Sequence, residues 1–417
     1  MISISNKAEC CGCTACYSIC PKNAIVMQPD HEGFLYPTVD SQKCVDCGLC
    51  EKVCPIRNKK TDREDTEGYI VRIKEEDIVQ NSTSGGAFTA FAAHIISQGG
   101  VVYGTGYDEM MRVTCKKAET VQQLDEMRGS KFVQSYLGET FREIKALLRK
   151  GKKVLFTGTP CQNYGLIHYL GGKPDNLVCI DFVCRGVPSP MIWKSYVDMM
   201  EKKYGAKMIG ARFKNKTFGY HATTMKIEFD NGKQWYGSGR IDPMMKAFVR
   251  ELSSRPSCSQ CRFKGIERIS DVTMFDCYQF SQITGYKDDE KGYSSIFIHS
   301  YKGKKLFDEI SDKLIVYPTE VKQLVTKNGV MVCNSAKPNP KRDQFYELAL
   351  QYPLDIAMNM VDPITKKDFL IERTKSIFRK TGLIRYVKKL KAGKIEVNEN
   401  DQRTLPEKEG NAQTEEQ

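Results

Sequence analysis

The chain has 417 residues, 41% of them hydrophobic, and a formal charge of +12 from 63 basic and 51 acidic residues; at roughly 150 residues per domain this length suggests two or three domains with a substantial core. No apolar run reaches the length of a membrane span, the longest candidate around residues 87–96 being only a buried helix's worth, and the polar N-terminus does not read as a signal peptide. The basic excess comes with no nucleic-acid-binding motif, so it points to an anionic cofactor, an acidic partner or an anionic membrane surface instead.

Residues 10–55 carry two cysteine quartets with the same punctuation. Cys10, Cys13, Cys16 and Cys20 precede Pro21, and Cys44, Cys47, Cys50 and Cys54 precede Pro55. Each quartet spells C-x2-C-x2-C-x3-C-P, the spacing of bacterial 4Fe-4S ligation, in which the fourth cysteine serves the neighbouring cluster. The expectation is crossed ligation: Cys10, Cys13, Cys16 and Cys54 for one 4Fe-4S cluster, Cys44, Cys47, Cys50 and Cys20 for the other. Zinc sites usually offer two C-x2-C pairs separated by a longer loop, and these runs crowd the thiolates too closely for tetrahedral zinc. Cys11 falls between ligands as a bystander. Clustered reduced thiols without an export signal imply a reducing, cytoplasmic compartment.

Residues 57–67 (RNKKTDREDTE) read as a charged linker, and a new globular segment starts near Gly68. Residues 81–88 (NSTSGGAF) open an apolar helix over 87–98 that Gly99 and Gly100 close. Free N–H groups at Ser84, Gly85 and Gly86 can hold a phosphate there; a serine cap on a tight turn has the same sequence. A strand at 101–103 follows, but Gly104-Thr105-Gly106 lacks the third glycine and the helix of a dinucleotide fingerprint. Residues 128–135 (RGSKFVQS) make a polar loop carrying Lys131.

A β-α-β unit is expected next. Phe141, Ile144, Leu147 and Leu148 share a helical face that Gly151 ends, and residues 154–156 form a short buried strand. In TGTPCQ, Thr159 caps a helix with Pro160 at its first position, running to about Leu170 before a strand at 177–182. If the two strands are parallel, Cys161 and Cys184 lie beyond their C-terminal ends, at the edge where open α/β sheets bind ligands. Cys161, at a helix N-terminus, is expected to have a depressed pKa. With Cys258 and Cys261 (PSCSQC) these residues can form a third 4Fe-4S site, a redox dithiol or a zinc site, or be unrelated buried cysteines.

Strands at 208–214 and 223–229, a type I′ turn at Asn231-Gly232 and a helix over 243–252 follow. A strand within 271–280 ends in an aromatic-rich loop, and another covers 294–299. A basic helix over 366–391 is a candidate for contact with a membrane surface or a partner, or is a solvated charged face. Residues from 396 onward are expected to be disordered.

In their order, the two quartets and the motifs TSGGAF, RGSKFVQS, LFTGTPCQ, DFVCRGVPS and RPSCSQCRFK resemble the family of coenzyme F-420 hydrogenase/dehydrogenase beta subunits, in its bacterial form with an N-terminal 2x(4Fe-4S) ferredoxin domain. The likeness spans residues 1–335. It implies an α+β and α/β multidomain chain with a dicluster ferredoxin-type domain at 1–60 and an α/β flavin and iron–sulfur core at 68–335, and the composition shift beyond 335 sets off a basic helical extension at 336–395 and a tail at 396–417. It also implies FAD, with Cys161, Cys184, Cys258 and Cys261 as ligands of the third cluster. Two motifs depart from the family: Arg185 stands where histidine is common, and Phe275-Asp276-Cys277-Tyr278-Gln279 replaces GDFWG, which makes Cys277 a further candidate ligand and leaves the deazaflavin substrate unassigned. The resulting expectation is a flavin-dependent iron–sulfur oxidoreductase that takes electrons from ferredoxin or another redox protein to a small organic acceptor. Lys131 and Arg185 are candidate contacts for a cofactor phosphate or substrate anion, and by analogy the acceptor is linked to surface polysaccharide synthesis. The alternative is an electron-transfer subunit without a substrate of its own.

Overall fold

The computed structural model describes residues 1–59 and 65–380. Residues 1–372 make one compact unit, and residues 373–417 fall in a second.

The N-terminal segment repeats one backbone device. The residues flanking the second cysteine of each quartet are left-handed: Gly12 (φ 70°) and Thr14 (64°) in the first, Asp46 (46°) and Gly48 (71°) in the second. These reversals curl the chain around the middle thiol, and a short helix follows each, Ala15–Ile19 and Leu49–Lys52. Between the quartets, β1 (Ile25–Pro29) and β2 (Leu35–Val39) pair as an antiparallel hairpin.

The remaining strands are β3 (Glu67–Ile73), β4 (Val101–Tyr107), β5 (Val113–Ala118), β6 (Val154–Gly158), β7 (Leu177–Phe182), β8 (Met208–Asn215), β9 (Thr224–Phe229), β10 (Gln234–Ser238), β11 (Val272–Cys277), β12 (Tyr293–Ile298) and β13 (Leu314–Pro318). Eight of them form a mixed sheet in the order β13-β3-β12-β11-β7-β6-β4-β5, and β10-β9-β8 form a smaller one. In the large sheet β4, β6, β7 and β11 run parallel. The neighbours added on either side, β5 and β12, run antiparallel to them.

Successive strand residues point to opposite faces, and both faces of the parallel centre are covered. Val102, Leu155 and Ile180 meet Phe91, Ile95, Leu306 and Phe307, from helices Ala87–Ser97 and Tyr301–Ile310. On the other face Tyr103, Phe156 and Cys179 meet Phe141, Ile144, Tyr164 and Ile167, from helices Thr140–Arg149 and Pro160–Leu170. Cys11, Cys13, Ala15, Val53 and Ile56 belong to this second core, so the cysteine-rich segment is packed onto the sheet's covering layer.

The small sheet packs with helix Pro190–Tyr204 around Trp193, Phe213 and Met225. Residues expected in a C-terminal extension enter the same core: helices Arg342–Gln351 and Leu354–Val361 contribute Phe345, Tyr346, Leu354 and Met358. The turn before β10 is not type I′, because Gly232 (φ 80°) has a positive φ and Asn231 does not. Helix Lys366–Lys380 covers the first part of the expected basic helix. The rest of that stretch, and the expected tail from 396, lie outside the described residues. Among the described residues, no helix is long and apolar enough to cross a membrane.

Candidate metal centres

Two cavities open in the cysteine-rich segment. Cys10, Cys13 and Cys16 line the first together with Cys54 of the other quartet. Cys44, Cys47 and Cys50 line the second together with Cys20. The exchange arises from the chain path: each quartet's last cysteine comes at the end of a short helix that carries it away from its own loop.

The settings of the two cavities differ. Around the first, Cys13 is buried, and burial pushes the Cys16 and Cys54 thiols up. At the second, Cys47 is exposed beside exposed Met1, Val45 and Leu49. There the Ile2 N–H donates to Cys50 Sγ and the Ala24 N–H to Cys20 Sγ, each at 3.3 Å.

A third set forms at the edge of the large sheet. Parallel pairing of β6 and β7 brings Gly158 beside Asp181, so the chain leaves both strands on the same side. After β6, Thr159 starts helix Pro160–Leu170, its N–H donating to Gln162 Oε1 at 2.9 Å, and Cys161 lies in the first turn. After β7 comes Cys184. Its loop runs against residues 253–255, with Arg255 N–H donating to Val187 O at 3.0 Å. That pairing brings up the turn Pro256–Gln260 with Cys258, and then Cys261. The Cys184 thiol faces Cys258, Cys161 and Cys261, and Cys258 in turn faces Cys161 and Cys261, so the four converge.

Among the described residues, no group of three His, Cys, Asp or Glu side chains closes on a point as a single bound ion requires. Four cysteine thiols match the donor count of a 4Fe-4S cubane, which takes one thiolate per iron. Burial pushes the Cys258 thiol up to about 12 and raises Cys184 and Cys261. To act as ligands, such thiols would have to give up their protons to bound cations. The depressed pKa expected for Cys161 is absent: the neighbouring Cys11 thiol, and then burial, outweigh the contact with Thr159 Oγ1 and push it up.

The first and third sets meet through three residues. Cys11, expected as a bystander, interacts with the thiols of both Cys13 and Cys161. A Cβ on Gly165, in the helix Pro160–Leu170, would stand 2.9 Å from Cys13 Sγ. Arg255, three residues before Cys258, donates to Cys10 O at 2.7 Å, Gln134 Oε1 at 2.9 Å and Leu35 O at 3.0 Å. Lys264 Nζ donates to Cys184 O at 2.7 Å. Motif spacing passed over Cys11, Gly165 and Arg255, although Arg255 stands inside the RPSCSQC run.

The expected anion contacts divide into two places. Gly86 (φ 80°) is the N-cap of helix Ala87–Ser97, while the Gly85 N–H is already engaged by Ser294 Oγ at 3.0 Å and Ser84 Oγ bonds the same hydroxyl at 2.8 Å. The Ser130 N–H donates to Thr83 Oγ1 at 2.9 Å, placing the Lys131 loop beside this turn. Lys131 Nζ reaches the carbonyls of Glu126 and Arg128. Burial, with Arg212 adding to it, pushes its ammonium down to about 7. Lys216, unnoticed in the sequence, donates to Val79 O and Ser84 O at 2.6 Å, and burial pushes it down to about 8. Arg185 lies elsewhere, paired with Glu251 and donating to Val249 O. In the altered FDCYQ stretch, Asp276 pairs with Lys214, which donates to Tyr278 Oη at 3.0 Å. Cys277 sits with Ile70, Phe280 and Tyr293 in a separate core, not with the four converging cysteines.

Residues 9–58 match the family model of the 4Fe-4S dicluster domain, and residues 151–323 match that of the C-terminal part of the coenzyme F420 hydrogenase/dehydrogenase beta chain. An uncharacterized protein of Methanocaldococcus jannaschii is 23% identical over 332 residues, 72% of this chain and 86% of its own length. The F component of the F420H2 dehydrogenase of Methanosarcina mazei is 19% identical over 318 residues, 73% of this chain and 83% of its length. A chain from a xenon-derivatised F420-reducing NiFe hydrogenase complex of Methanosarcina barkeri superposes with a TM-score of 0.43 at 15% identity, covering 68% of this chain and 91% of that one.

Proposed function

We propose that this chain, related to the coenzyme F420 hydrogenase/dehydrogenase beta subunits and carrying a 4Fe-4S dicluster domain ahead of that region, is an electron-transfer subunit that relays single electrons between a redox donor and a catalytic partner. Cys20, Cys44, Cys47 and Cys50 would hold an outer cluster, Cys10, Cys13, Cys16 and Cys54 an inner one, and Cys161, Cys184, Cys258 and Cys261 a third. When bound, 4Fe-4S clusters supply one-electron carriers whose potentials follow charge, hydrogen bonding and exposure.

The observation that carries this reading is the serial placement of the three cysteine sets. The outer set is edged by exposed Met1, Val45 and Leu49, which suits docking of ferredoxin or another redox protein in a cytoplasmic setting. Cys13 and Cys54 of the inner set and Cys161 and Cys261 of the third border one apolar core. The kinship to a component of an F420H2 dehydrogenase favours work within a larger redox complex.

A second reading adds FAD and a small organic acceptor, which would make the chain an oxidoreductase in its own right. It draws support from Lys131 and Lys216, two partly buried ammonium groups satisfied by backbone carbonyls and set around the 81–86 turn, where a pyrophosphate would offer them an opposite charge. Protein purified without air and then reduced separates the two. The relay reading expects reoxidation only when a partner polypeptide is added. Stoichiometric FAD and direct reoxidation by a small organic acceptor would establish the enzyme instead.

A further inference from the structure

Arg255 is 1% exposed and heads the fully buried large side chains. Burying a guanidinium is costly unless an opposite charge faces it. The other deeply placed arginines have such partners: Arg342 grips both carboxylate oxygens of Glu32, and Arg268 reaches Asp181. Arg255 instead donates to two carbonyls and an amide oxygen, with its plane 4.2 Å from the Tyr36 ring. The acidic groups acting on it most strongly are Cys10, Tyr36, Cys11 and Cys258, which include one cysteine from each of two metal sets. Gly12 has no room for a side chain, because a Cβ there would stand 2.9 Å from Arg255 Nη1.

Resting on the iron–sulfur reading above, we infer that Arg255 is the shared counter-charge of the inner and third clusters, a positioning residue that raises both potentials together and leaves the outer one unchanged. A fixed positive charge favours the reduced, more negative state of a cluster, so it raises the potential. Lys264 does not duplicate this role: the thiols it faces, Cys184, Cys261 and Cys258, all belong to the third set. Arg255 stands between the sets, holding Cys10 by its side chain while its own carbonyl accepts from the Cys258 N–H at 2.9 Å.

The test is a redox titration followed by electron paramagnetic resonance on anaerobically purified full chain, with iron counted in each sample. Arg255→Met removes the charge. At the wild-type midpoints of the inner and third clusters its reduced-to-oxidised ratio should fall about tenfold, equivalent to about 59 mV for one electron. Arg255→Lys keeps the charge and should stay near the wild-type ratio. Gln134→Glu sets a carboxylate against the guanidinium without disturbing Arg255 itself. It should shift the same two midpoints downward, and it decides the matter if Arg255→Met does not fold. Full iron with unmoved midpoints in Gln134→Glu, or an equal shift of all three clusters, overturns the inference. Wild-type protein without iron would defeat the underlying iron–sulfur reading, a distinct failure.

Discussion

Gly165 and Cys13 approach so closely that a methyl group on the glycine would stand 2.8 Å from the cysteine Cβ and 2.9 Å from its Sγ. The helix Pro160–Leu170 therefore presses against the inner cysteine loop at a position where only glycine fits. In an unobstructed helix Gly→Ala gains roughly 1 kcal/mol. Gly165→Ala should instead displace Cys13 and lower bound iron by about four per chain. Iron analysis with a thermal melt checks this, and unchanged iron with a higher melting temperature would show that the contact yields freely.

Crossed ligation makes a pairing prediction. Cys54→Ser should lose the same resonance as Cys10→Ser, and Cys20→Ser the same as Cys44→Ser. If each quartet held its own cluster, Cys20→Ser would instead match Cys10→Ser. Spectra of the four anaerobic variants distinguish the two patterns.

The hairpin between the quartets is latched to the rest of the chain by Glu32, whose carboxylate takes both Nη groups of Arg342 at 2.8 and 2.6 Å. Both side chains are nearly buried, 8% and 12% exposed. Glu32→Ala strands a buried guanidinium at a cost of about 3–5 kcal/mol, whereas the double variant with Arg342→Ala should lose less than the two single losses combined. Urea midpoints across the four-protein cycle measure the coupling.

His299 supplies a pH signature. Its ring nitrogens contact Thr66 Oγ1 at 3.2 Å and Thr273 Oγ1 at 2.8 Å, and burial, then Arg268 and Lys173, push it down to about 3. The unfolded chain takes up this proton below about pH 6.5, while the folded chain does not until about 3. This contribution is thus intact above pH 6.5 and declines as pH falls from there toward 3. Between pH 6.5 and 5 the loss is about 2 kcal/mol. In His299→Gln that portion of the acid sensitivity should vanish, read as a stability difference from wild type that changes between pH 7.5 and 5. A difference that stays constant would contradict the buried neutral ring.

Local chemistry was readable wherever it is sequential. Pro160 after Thr159 marked a helix start, and the strand expected at 177–182 matches β7. The quartets announced themselves because ligand spacing is a one-dimensional signal. Convergence was not readable: Arg255 contacts Cys10 across 245 positions, and no periodicity carries such a contact. Cys161 was misjudged because its helix start was visible and the opposing Cys11 thiol was not. The helices after 342 looked like an extension because their charged faces dominate the composition, while buried Phe345, Leu354 and Met358 anchor them in the core.

The central claim is that three sets of cysteines hold three four-iron clusters in series. Iron and acid-labile sulfide counted per chain, on protein purified and kept without air, test it most directly. The expected result is about twelve of each, falling to about eight when Cys184 is replaced by serine. Fully folded, colourless protein with neither element would contradict it.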